Sequence, residues 1–161
     1  MSDLELDVPA MVGGSGKFES AQIILRLYEL RREARMREAR DWFVGWVPLT
    51  VDDAVAAWRG AETSPRYRMV TTYWDMAAAL VNHGAIDAAM FHDTVNEHAY
   101  VFARLEPFLP GLRELSGIGD YLVQLERCVL AMPPARLAWT RGRIERAREQ
   151  ERQRREGAPA G

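Results

Sequence analysis

A chain of 161 residues, 48% of them hydrophobic, can bury one core without disulfides or metal, and one domain is the expectation. The formal charge of −2 excludes a protein that is basic throughout, and the single cysteine, Cys128, excludes an intrachain disulfide. No apolar run approaches the ~20 residues that span a bilayer, and the acidic start MSDLELDVPAMVGG lacks the basic and apolar regions of a secretory leader, which points to a cytoplasmic protein with no membrane span.

Residues 1–16 read as a flexible arm, because Pro9 and the run Gly13-Gly14-Ser15-Gly16 offer neither periodicity nor side chains to bury. The string GGSGK is not a phosphate-binding loop: Met11 stands where that motif needs glycine, and Phe18 where it needs Ser or Thr. From Phe18 the pattern is helical, with Ile23, Leu27, Leu30 and Ala34 on one stripe. Met36, Ala39, Phe43 and Trp46 again share a face, and Pro48 ends the run. Thr50 with Asp53 resembles a capping box opening a short helix that Gly60 closes. Ser64-Pro65 starts the next helix, whose apolar stripe is expected at Met69, Tyr73, Met76 and Leu80, widened by Val70, Ala77 and Val81. Its second face carries Thr71, Asp75, Ala78, Ala79 and Asn82.

Gly84 suits a helix C-terminus and Asp87 an N-cap, with Ile86 and Phe91 placed to staple the turn. The helix that follows is expected to run to about Leu105, with Phe91, Val95, His98, Phe102 and Leu105 inward. After Pro107 and Pro110 comes a short turn at Leu112–Leu115, then a helix capped by Asp120 and carrying Leu122, Leu125, Val129 and Met132. Pro133-Pro134 opens the last helix. From Arg146 to Glu156 it has no large apolar residue, so that end should project into solvent. The expectation is all-α: an irregular bundle of six or seven helices, with residues 17–145 as the domain and 146–161 as a charged helix end and disordered tail.

The stretch VNHGAIDAAMFHDTVNEH, residues 81–98, contains all three histidines. On one continuous helix His92 and His98 would point about 120° apart, roughly 9 Å apart along the axis, so they should not share a metal. No HExxH or paired ExxH motif occurs, and neither metal nor cofactor is expected. Asp87 has a capping role, His98 faces the core, and His92, Asp93 and Glu97 should be solvated. Cys128, within YLVQLERCVLAM, reads as a buried small hydrophobe.

Asp75 interrupts the apolar TYWDMAAAL, and a buried carboxylate needs a partner, for which Arg31, Arg32 or Arg35 is the first choice. Asp75 and His98 are therefore the candidate buried polar or ligand site. Residues 141–156 hold seven Arg against four Glu, but the glutamates sit at i,i+3 and i,i+4 spacings, which favours intrahelical pairs over phosphate binding. Of five tryptophans, Trp74 lies off its helix's expected stripe and is the candidate interface residue, together with Arg141, Arg148 and Arg152.

The segments LRLYELRREARMREARDWF, YRMVTTYWDMAAALVNHGAIDAAMF and LEPFLPGLREL together resemble a family of small bacterial helical proteins known only as a domain of unknown function, over roughly residues 23–132. The resemblance implies a fold and a bacterial source but no activity or catalytic residue. With no catalytic constellation in view, the expected function is non-catalytic protein–protein interaction as a homo-oligomer or part of a larger complex. The alternatives are a small-ligand binder or enzyme with a pocket near Asp75 and His98, and nucleic-acid binding through the C-terminal arginines.

Overall fold

The computed structural model describes residues 15–158; all but the last two residues of the expected N-terminal arm, and the end of the expected tail, lie outside them. Among the described residues the chain forms nine α-helices and no strand: α1 (Ser15–Arg31), α2 (Ala34–Gly45), α3 (Val51–Arg59), α4 (Ser64–Asn82), α5 (Ala88–Thr94), α6 (Glu97–Leu105), α7 (Leu109–Ser116), α8 (Val123–Leu130) and α9 (Pro134–Glu156), with a 3-10 turn at Glu106–Phe108. The central helix is α4. It packs chiefly against α8 and α2 and touches α3, α5 and α6, while α9 lies along α6.

Most boundaries follow local chemistry. The α1–α2 break is fixed by Glu33, whose carboxylate accepts from Met36 N at 3.1 Å. Thr50 and Asp53 form a reciprocal capping box at α3. Gly84 has φ +78° after α4, where glycine avoids the strain an L side chain would meet. Asp87 accepts from Met90 N at 2.8 Å and donates its own N–H to Ser20 Oγ at 2.9 Å, tying α5 to α1. In α7 a Cβ at Gly111 would lie 2.7 Å from Val51 Cγ2, so glycine there sets the approach of α7 to α3.

Three expectations are corrected. The buried face of α4 is Tyr67, Val70, Thr71, Trp74, Ala77, Ala78 and Val81: of the expected stripe, Val70, Ala77 and Val81 are on it, whereas its main line lies about a third of a turn away, and Met76 is 46% exposed. Tyr67 and Trp74 fill the centre, and the alanines beside them let α8 and α2 approach from both sides. Trp74 is thus a core residue at 1% exposure, not a surface anchor. The helix expected from Asp87 to Leu105 divides at Val95 and Asn96, where Val95 is extended (φ −130°, ψ 132°). The charged end of α9 is mostly exposed but does not lie free: Arg148 is buried and Arg155 pairs with Asp53 at 3.0 Å.

Candidate functional site

The polar groups of the core converge on α6, and the break before it decides how. Restarting the helix at Glu97 turns that carboxylate towards α1, α2 and α4. Arg40 binds it with two hydrogen bonds, Nε to Oε1 at 2.7 Å and Nη2 to Oε2 at 2.6 Å. Arg31 Nη1 lies 3.4 Å from Oε2, and the Trp74 indole N–H donates to Oε1 at 3.3 Å. Arg31 also stacks on the Trp74 ring at 5.5 Å. Glu97, expected to be solvated, is therefore the acidic hub of a largely buried network that joins four helices.

Beside this network, between α2, α6 and α9, opens a cavity of about 420 Å³. Its walls are apolar where Phe43, Val70, Val101 and Ile144 meet it, and its charged groups are Arg40, Arg104 and Arg143 against Glu97 alone. Arg104 is spent on structure: its Nη1 donates to the Phe43 and Val44 carbonyls at 2.7 and 2.8 Å, satisfying the open C-terminus of α2. Burial, reinforced by nearby Arg148, lowers the Arg104 pKa to about 10, so it stays cationic at neutral pH. Arg143 has no carboxylate partner among the described residues and lies over Trp139 and Tyr100 at 5.1 and 5.6 Å. Trp139 is half exposed and faces outward, whereas Trp74, expected at an interface, supports the site from the core.

The other side of α6 holds His98, fully buried. The break at Val95–Asn96 overturns the argument that separated the histidines, since His98 Nε2 sits 3.3 Å from His92 Nδ1 with the rings stacked at 5.4 Å. Cys128 of α8 closes the group: one potential ligand atom from each of the three buried residues lies within 4.8 Å of the other two. Burial, with His92 and Arg136 nearby, pulls His98 down to about 3, and burial alone pushes the Cys128 thiol up to about 11. His98 Nδ1 has no hydrogen-bond partner.

Asp75 and His98 do not form a joint site. Asp75 Oδ1 accepts from Leu125 N at 2.8 Å, capping the N-terminus of α8 from another helix. The expected cap, Asp120, is not used: α8 begins at Val123, its N-cap position falls to Leu122 at φ +55° with no side-chain acceptor, and none of the arginines expected to pair with Asp75 does so. Burial raises the Asp75 pKa even though the bonds from Leu125 and Gln124 pull it down. The arginines named as interface candidates are also engaged within the chain. Arg141 binds both carboxylate oxygens of Glu106 through its Nε and Nη2, Arg148 Nη2 donates to the Ala103 and Arg104 carbonyls at 3.0 and 3.1 Å, and Arg152 pairs with Glu145 and Glu149. No described helix is long and apolar enough to cross a membrane.

The fold and its polar seam define an all-helical domain built around one central helix, without a recognisable catalytic constellation among the described residues. Residues 18–132 match the family described as "Domain of unknown function (DUF4760)", and the chain belongs to it. No curated protein and no solved structure matches the chain.

Proposed function

We propose that the protein is a non-catalytic interaction subunit that self-associates through α1, in a cytoplasmic, bacterial setting of the kind the composition and the family resemblance imply. The observation that supports this is a second apolar face on that helix. Ile24 and Leu27 face the core, while Phe18, Leu25 and Tyr28, on a separate stripe, are 67%, 64% and 52% exposed. Soluble monomers seldom leave such a contiguous stripe uncovered. The flanking charges favour a second copy: Lys17 and Arg26 balance Glu19 and Glu29, and antiparallel pairing about Ile23 sets Lys17 of one chain opposite Glu29 of the other, a self-complementary arrangement.

Burying these three side chains is worth roughly 1–1.5 kcal/mol each. Summed over two copies this is roughly 6–9 kcal/mol against an association cost of about 4–15 kcal/mol, so a weak dimer, of sub-millimolar affinity at best, is the expectation rather than an obligate one. Sedimentation at rising concentration should show mass above the monomer for the wild type. The double substitution Phe18→Glu/Leu25→Glu should give monomer with unchanged helicity. A wild type that stays monomeric up to about 1 millimolar, above the dissociation constant which that balance allows at best, would sink the reading.

A second reading rests on Arg143. A cation without a carboxylate partner among the described residues, stacked on two aromatics at the edge of an apolar cavity, suits a small amphipathic anion, and about 420 Å³ lies within the range of ligand pockets. A medium-chain fatty acid should then quench Trp139 fluorescence in the wild type and not in Arg143→Gln. No difference between the two would refute it. Nucleic-acid binding has less support, because Arg152, Arg154 and Arg155 are all paired with carboxylates.

A further inference from the structure

We infer that His92, His98 and Cys128 form a binding site for a single soft d10 metal cation, Cu(I) or Zn(II), held between α5, α6 and α8. Two observations converge on it. Two imidazoles and a thiol, drawn from three different helices and all buried, are a ligand set that matches thiophilic ions and not the hard cations that prefer oxygen. Their spacing is close to what such an ion requires. Two nitrogens each about 2.0–2.1 Å from a tetrahedral ion lie about 3.3–3.4 Å apart, and the His92 Nδ1 to His98 Nε2 distance is 3.3 Å. The widest separation in the group, at most 4.8 Å, exceeds the nitrogen–sulfur distance of such a site by about 1 Å, a gap a side-chain rotation of Cys128 can close.

The surroundings limit the ions that would be stable. Buried neutral imidazoles are ready to donate a lone pair without first losing a proton. Binding forms the metal–sulfur bond and releases the Cys128 thiol proton to solvent, with no change of oxidation state. Cu(I) with one thiolate gives a neutral site, whereas Zn(II) leaves one positive charge. Arg136 donates to the His92 carbonyl and puts a further cation at the rim, so charge balance favours Cu(I), which also accepts three-coordination. Asp93 is the carboxylate that faces His92 from its own helix. His92, the least buried of the three, is the point of entry.

The test is an anaerobic titration of metal-free, folded, full-length protein with Cu(I) against a colorimetric Cu(I) chelator, and in parallel with Zn(II) against a zinc indicator. One equivalent of either ion should bind, raise the melting temperature and protect Cys128 from alkylation; the arm that binds identifies the ion. Cys128→Ser and His92→Gln should each weaken binding roughly 100-fold or more, beyond the 10–100-fold expected from loss of an outer partner. The wild-type measurements stand even where a core variant misfolds. If neither ion binds with 1:1 stoichiometry, or if Cys128 alkylates at the same rate with and without metal, the site is refuted.

Discussion

Glu97→Gln isolates the electrostatic part of the network, since it keeps the shape and removes the charge. The side chains concerned are 16% exposed for Arg31, 25% for Arg40 and 21% for Glu97. The ~0–1 kcal/mol of a surface pair is therefore too small, and the ~3–5 kcal/mol lost on breaking a fully buried pair is too large. The Arg40 interaction is bidentate and charge-assisted, and the indole adds a third bond, so a loss of about 2 kcal/mol is expected, or about 4–8 °C in melting temperature for a domain of this size. Urea unfolding followed by circular dichroism, in a double-mutant cycle with Arg40→Gln, should give a coupling energy of about 1–2 kcal/mol. It should change little with salt, because partly buried charges are poorly screened. A coupling below about 0.5 kcal/mol, or one that vanishes at high salt, would show that Glu97 behaves as a surface carboxylate.

Asp75 should report itself through pH. Its folded-state pKa is raised above the ordinary value of 3.8, so the folded state holds the proton more tightly than the unfolded chain does. Its contribution is fully favourable below pH 3.8 and is lost as pH rises through the folded value. Asp75→Asn keeps an oxygen that can accept from Leu125 N and should abolish that decline, so that the variant equals or exceeds the wild type near neutral pH in unfolding titrations; a stability curve still falling across that window would count against the assignment. Asp75→Ala removes the cap and should cost about 1 kcal/mol below pH 3.8 and less as pH rises through the folded value, with faster hydrogen exchange at the Leu125 amide as the local readout.

How much of this was readable from the residues depended on distance along the chain. Caps such as Thr50 and Asp87 bond within four residues, and Gly84 answers to its own backbone, so local chemistry sufficed, as it did for the all-helical class. Where the partner lies far away, sequence spacing misled. Asp75 was correctly marked as needing a partner, yet that partner is a backbone amide 50 residues on, and no side-chain inventory contains backbone amides. Trp74 looked peripheral because α4 is enclosed on several sides, so no single stripe defines its buried face. The histidine argument failed on one premise, helical continuity across Val95-Asn96. The available signal was weak: Thr94 and Val95 are β-branched and disfavour helix, and Asn96 suits a helix start.

The same logic explains why a tail without apolar residues still docks. Helix C-termini present carbonyls that lack partners, and cations there are favoured by the helix dipole. Arg104 closes the end of α2, and Arg148 closes the end of α6 while lying over the Phe108 ring at 5.6 Å. Each guanidinium is buried against carbonyl oxygens rather than in hydrocarbon, so the desolvation cost is offset chiefly by hydrogen bonds to oriented dipoles, to which Arg148 adds one long contact with the exposed Glu145 at 3.4 Å. The two arginines chain α9 to α6 and α6 to α2 in series. The family match ends at Met132, before α9 begins, yet Arg143, Ile144 and Ala147 of α9 line the cavity. The cavity wall therefore depends on a helix held by Arg148 as much as by its few apolar contacts, Leu137 and Ile144 among them. An apolar docking face would have been visible as periodicity, whereas an arginine reaching carbonyls on another helix looks in sequence like any solvated charge.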